Sequence, residues 1–189
     1  MSTDLDIIDY NRLDQSGMME QIKSFTEDFK KAWQKTEPIK IPDSYKEVKN
    51  IVLCGMGGSG AANELIKEIA FDSHCPIESI HDYTLPGYVD ENSLVITTSY
   101  SGETEETISC FNEAREHQAK LFAIASGGTL NKLAESSQTP QFIFDYPSEP
   151  RMAIPYLLSP LLRIFSRLGF YELPDDFSNI CDQAERVIS

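Results

Sequence analysis

Four short apolar runs in this chain, Ile51 to Cys54, Leu94 to Thr97, Leu121 to Ala125 and Gln141 to Phe144, are unbroken where a half-exposed strand would alternate apolar with polar residues. Unbroken runs of that length suit strands covered on both faces, which is the situation of a parallel sheet. Between them lie segments of helical character, Ala61 to Ala70, Thr104 to His117 and Thr129 to Glu135. Strands and helices alternating in this way predict an α/β fold, a doubly wound, mainly parallel sheet with flanking helices. A further strand at Pro76 to His81 would make the sheet five-stranded.

Upstream, Met18, Ile22, Phe25, Phe29 and Trp33 recur at helical steps and predict an N-terminal amphipathic helix ended by Pro38 and Pro42. Downstream, Arg151 to Phe170 is apolar almost all round, carries Pro155 and Pro160 and stops at Gly169, which predicts a kinked and largely buried helix. Phe177, Ile180, Cys181, Ala184 and Ile188 repeat the helical spacing towards Ser189. Such a stripe needs a cover, either more chain or another subunit. The expected organisation is a helical extension over 1–45, the α/β domain over 46–170, and over 171–189 the start of a linker or helix to a missing second domain.

At 189 residues the chain has room for one domain and an appendage, not for a two-domain enzyme. Asp and Glu number 30 against 16 Lys and Arg, a net charge of −14. That field repels a phosphate polymer or an anionic membrane, so no nucleic acid and no membrane is expected as a partner. Any small anion must be held by local backbone dipoles and hydroxyls against the global charge. Cys54, Cys75, Cys110 and Cys181 show no pairing motif and read as reduced packing residues. The acidic start, MSTDLDIIDY, lacks the basic and apolar run of a signal peptide, which points to the cytoplasm. His74, His81 and His117 share no helical face, and no metal is expected.

The first candidate loop is GMGGSG, with four glycines in six residues between a buried strand and a helix. Glycines let backbone amides approach a ligand, and a helix N-terminus supplies partial positive charge. Gly55, Gly57 and Gly60 satisfy the dinucleotide pattern GxGxxG, with Asp82 placed to meet a ribose hydroxyl, so a nicotinamide-dependent oxidoreductase is one alternative. A Walker A loop is excluded, because Ala61 and Ala62 stand where Lys and Ser or Thr are required. The second loop, TTSYSGETEET, brings Thr97, Thr98, Ser99, Ser101, Thr104 and Thr107 to the head of a helix. In a parallel sheet both loops leave the same carboxyl edge, where open α/β sheets place ligands. Hydroxyls and the amides at Gly102 and Glu103 suit a compact phosphate monoester; helix capping accounts for one or two of the hydroxyls, not six.

GMGGSG after the first strand and SYSGETEET after a later one resemble the phosphate-binding loops of the SIS (sugar isomerase) domain, a doubly wound fold of flavodoxin-like strand order. The downstream EPR, ending in Arg151, is similar to the phosphoglucose/phosphomannose isomerase branch of that superfamily, and the resemblance covers roughly residues 18–170. It implies that Ser59, Ser99, Ser101 and Thr104 hold a sugar phosphate, that Gly57 and Gly58 let the backbone approach the sugar, and that Arg151 stabilises an enediolate. From the residues alone, Arg151 equally suits a helix start paired with Glu149. Glu103 stands where relatives often carry Asn, and its carboxylate must point away from the phosphate.

Aldose–ketose isomerisation needs a general base and a ring-opening acid. In relatives a glutamate, a histidine of the neighbouring subunit and a lysine supply them from a second SIS domain, and this chain holds no second pair of loops. The expectation is a phosphate-binding half of an isomerase that interconverts glucose 6-phosphate or mannose 6-phosphate with fructose 6-phosphate, without cofactor, in a homodimer. The alternative of another class is a single-domain sugar-phosphate sensor.

Overall fold

The computed structural model describes residues 14–174 and Phe177. In chain order these form α1 (Met18–Lys35), β1 (Asn50–Cys54), α2 (Gly57–Ile69), β2 (Ile77–Ile80), β3 (Ser93–Ser99), α3 (Glu105–Glu116), β4 (Lys120–Ala125), α4 (Gly128–Ser136), β5 (Gln141–Ile143) and α5 (Ile154–Leu168). Short 3-10 turns stand at Asp43–Glu47 and Pro150–Met152. The strands form one sheet of order β2-β1-β3-β4-β5, and every pairing is parallel. This is the flavodoxin-like order, whose direction reverses between β1 and β3.

Within each central strand, alternate residues serve opposite layers. Ile51, Leu53, Leu94, Ile96, Phe122 and Ile124 pack with Ala62 and Ile66 of α2 and with Tyr156 to Leu168 of α5. Val52, Val95, Leu121 and Ala123 pack on the other side with Cys110 and Phe111 of α3 and Leu130 of α4. Because both sides are covered, no position in the run calls for a polar residue. The edge strands differ: β5 alternates, with Ile143 exposed, and β2 is only half-buried. No helix links β2 to β3; that connection instead lays Leu85 and Val89 against the second layer, and the Leu85 N–H donates to Glu113 on α3 at 2.8 Å.

The N-terminal helix forms where the spacing predicts it, but the face it buries is rotated. Thr26, Asp28 and Ala32 are buried, while Ile22 is exposed and Phe29 and Trp33 are half-buried against the core. The C-terminal end of the helix is held on α5: the Arg163 guanidinium lies 3.6 Å over the Trp33 ring and its Nε donates to Thr36 Oγ1 at 3.0 Å. Asp28 can be buried because Tyr146 and Ser24 each donate a hydroxyl to its Oδ2, both at 2.8 Å. Pro160 lies inside α5, which runs to Leu168 and is ended by Gly169 in the left-handed region, φ 81°. Cys54, Cys75 and Cys110 are free and buried, whereas Cys181 and the stripe beyond Phe177 lie outside the described residues. Among the described residues no helix is long and apolar enough to cross a membrane, and no cluster of metal-ligating side chains occurs.

Candidate functional site

The loops after β1 and β3 meet at the point where strand order reverses. They are stitched together by one bond: the Tyr100 peptide N–H donates to Ser59 Oγ at 3.0 Å. Ser99 Oγ lies 2.8 Å from Thr104 Oγ1 and accepts the Gly102 N–H at 3.0 Å. Ser101, exposed, accepts the Glu103 N–H at 3.2 Å. Four of the expected residues, Ser59, Ser99, Ser101 and Thr104, therefore sit in two adjoining loops, with Gly57 and Gly58 opening α2 beside them.

Thr104 is the N-cap of α3, yet its side chain makes no capping bond, and α2 also begins without a side-chain cap. Beside them α4 receives a carboxylate: Glu103 accepts the Thr129 N–H at 2.9 Å and the Thr129 hydroxyl at 2.7 Å. Glu103 is thus turned onto the neighbouring helix, and the first turns of the two helices that open at the crevice carry no side-chain cap. The second loop owes its shape to Gly102. At φ +70° its backbone is left-handed, and a Cβ there would stand 1.8 Å from the Gly127 carbonyl oxygen.

The six-hydroxyl cluster is smaller than the sequence suggests. Thr97 and Thr98 continue β3 and are fully buried, with Thr97 bonded to the Phe122 carbonyl, and Thr107 is buried on α3. Of the remaining three, Ser101 is exposed and Thr104 half-buried at the crevice, while Ser99, the last residue of β3, is buried beneath them and bonded to Thr104.

Arg151 lies in the 3-10 turn that follows a strap, residues 144–150, between β5 and α5. The strap crosses the glycine loop closely: a Cβ on Gly58 would fall 2.7 Å from the Pro150 carbonyl oxygen and 3.3 Å from the Arg151 nitrogen. The structure so brings Arg151 beside the first loop, about a hundred residues away in sequence. Arg151 is exposed and, among the described residues, forms no ion pair with Glu149, so the helix-start pairing is not what places it.

Two residues escape a sequence reading. His81, at the end of β2, is the histidine that reaches the loops: its Nδ1 is 2.7 Å from the Gly55 carbonyl oxygen and its Nε2 is 3.0 Å from Glu64 Oε1. Acceptors beside both nitrogens favour the protonated ring; the Gly55 carbonyl first and Glu64 second raise its pKa above the ordinary 6.5. Its partner Glu64 is correspondingly held below the usual carboxylate value. Tyr100 is the other, since every loop of the site converges on it, and only its place between two expected serines could have pointed to it. Below the loops Cys54 is no nucleophile, because the Cys110 thiol against it and burial push its pKa well up.

The sheet order and the paired loops at its reversal point make this a doubly wound α/β domain with a ligand crevice at that point, the fold that the resemblance to the sugar isomerase (SIS) domain implies. In fold it matches a proposed tagatose-6-phosphate ketose/aldose isomerase from Clostridium novyi with a TM-score of 0.67, at 16% identity, over 95% of this chain and 52% of that one. In sequence the chain resembles the bifunctional phosphoglucose/phosphomannose isomerases. It is 36% identical over 161 residues to the protein of that name from Caldicellulosiruptor bescii, covering 84% of this chain and 47% of the relative. It is 34% identical over 175 residues to that of Aquifex aeolicus, covering 89% and 52%. The chain therefore spans about half the length of these curated relatives. No protein-family model matches it.

Proposed function

We propose that this chain is the sugar-phosphate-binding half of an aldose–ketose isomerase that interconverts glucose 6-phosphate or mannose 6-phosphate with fructose 6-phosphate. The observation that carries the reading is the Ser59–Tyr100 bond, which joins two hydroxyl-bearing loops at the head of two helices without side-chain caps. Ser59, Ser99, Ser101 and Thr104 donate to the phosphate, and the two helix dipoles offset a chain charge of −14. Gly57 and Gly58 let the sugar lie on the backbone. Arg151 faces the negative charge that develops on the enediolate as a proton moves between neighbouring carbons.

A general base is assigned to none of these residues. Glu103 is spent on α4 and His81 on Gly55 and Glu64. In this reading the base comes from the part of the relatives' length that this chain does not span, and two copies form the working unit. The division into 1–45, 46–170 and 171–189 and a cytoplasmic setting, suited to the buried free thiols, belong to the same proposal.

Calorimetry with fructose 6-phosphate and a coupled isomerase assay test it together. The chain should bind fructose 6-phosphate and turn it over poorly, since a positioned proton carrier is worth about 10²–10⁴-fold in rate. A folded chain that does not bind would overturn the reading. Robust turnover would instead place a base within these residues.

A further inference from the structure

We infer that Tyr100 is a positioning residue that holds Arg151 over the sugar, separately from the phosphate cup; this rests on the sugar-phosphate reading above. Its hydroxyl lies 2.8 Å from the Tyr146 carbonyl oxygen and 2.9 Å from that of Ser148, sharing one proton between them, and accepts the Ser148 N–H at 3.0 Å. One oxygen thus uses its full hydrogen-bonding capacity on the strap. Three residues beyond Ser148 comes Arg151, with Pro150 restricting the backbone between them and the Met152 N–H closing the turn onto the Glu149 carbonyl at 2.8 Å.

The main chain of Tyr100 serves the other loops. Its N–H reaches Ser59, and its carbonyl accepts both the N–H and the hydroxyl of Ser126, at 3.1 and 2.6 Å, from the loop after β4. Backbone and side chain therefore have separable duties. The backbone joins the cup; the phenol oxygen fixes the strap that carries the arginine. Behind the strap, Tyr146 stacks on Tyr156 at 4.4 Å and donates to Asp28 of α1, so the tether is braced from both sides.

Tyr100→Phe deletes the oxygen alone, keeping the N–H to Ser59 and the ring against Phe144. Affinities for fructose 6-phosphate and for inorganic phosphate are measured by calorimetry in the wild type, Tyr100→Phe, Arg151→Ala and the double variant. The expected result is a loss of roughly tenfold for fructose 6-phosphate in each single variant, no further loss in the double, and unchanged affinity for inorganic phosphate in Tyr100→Phe. Equal losses for both ligands in Tyr100→Phe, additive losses in the double variant, or no loss at all would each overturn the positioning role. A folded wild-type chain that binds neither ligand would overturn the sugar-phosphate reading and this inference with it; normal wild-type binding beside a silent Tyr100→Phe overturns the inference alone.

Discussion

Gly58→Ala sets two effects of opposite sign against each other. Adding a methyl group to a helical glycine ordinarily stabilises by about 0.5–1 kcal/mol, because the unfolded chain loses freedom. Here the new Cβ would stand 2.7 Å from the Pro150 oxygen and 3.1 Å from its carbonyl carbon, both backbone atoms, where ordinary contact begins at 3.4 Å. The strap must retreat by about 0.7 Å, and overpacking of this kind costs about 1–3 kcal/mol. The clash wins, leaving a net loss of about 1 kcal/mol, which for a chain of this size lowers Tm by about 2–4 °C. Since the displaced segment carries Arg151, fructose 6-phosphate should also bind more weakly. Differential scanning calorimetry and a binding isotherm read the two consequences independently. A Tm at or above that of the wild type, together with wild-type affinity, would show that the strap does not rest on this glycine.

Two serines should separate stability from binding. Ser99→Ala strips the buried Gly102 N–H of its acceptor and should cost about 1–3 kcal/mol, or about 2–12 °C in Tm, whereas exposed Ser101→Ala should leave Tm nearly unchanged and weaken fructose 6-phosphate roughly tenfold to a hundredfold. His81, its pKa raised above 6.5 in the fold, stabilises fully below its ordinary value and loses that contribution as pH rises through the raised one. The Tm advantage of wild type over His81→Gln should therefore shrink from pH 5.5 to 8.5, and an advantage that grows with pH would refute the raised pKa. NAD should not shift Tm; a ligand at 100 times its Kd contributes about 2.7 kcal/mol, so a rise of several degrees would restore the dinucleotide reading of GxGxxG.

The layered fold was legible because burial on both faces leaves an unbroken mark in a strand, as in Leu121 to Ala125. Strand ends were less so: β3 extends to Ser99 because Thr97 and Thr98 satisfy a buried strand without looking apolar, and this inflated the apparent number of site hydroxyls. The residues of both loops could be read locally, since each loop is a contiguous motif. The contacts of His81 with Gly55, of Tyr100 with Ser148 and of Asp28 with Tyr146 could not, because spans of 26, 48 and 118 residues leave no local periodicity. The rotation of α1 has the same origin: a buried Asp28 is acceptable only once Tyr146 is in place.

The bonds at Tyr100 bridge sequence separations of 41, 26 and 48 residues, and this bears on the order of events during folding. The full set closes only once β1, β3, β4 and the strap have been gathered, so the crevice is completed by contacts of high contact order. Its peptide N–H should consequently exchange with solvent deuterium only through openings that break the sheet, at rates near those of β3 itself rather than those of a surface loop. A loop amide with strand-like protection would make Tyr100 a native reporter of whether the whole domain has formed.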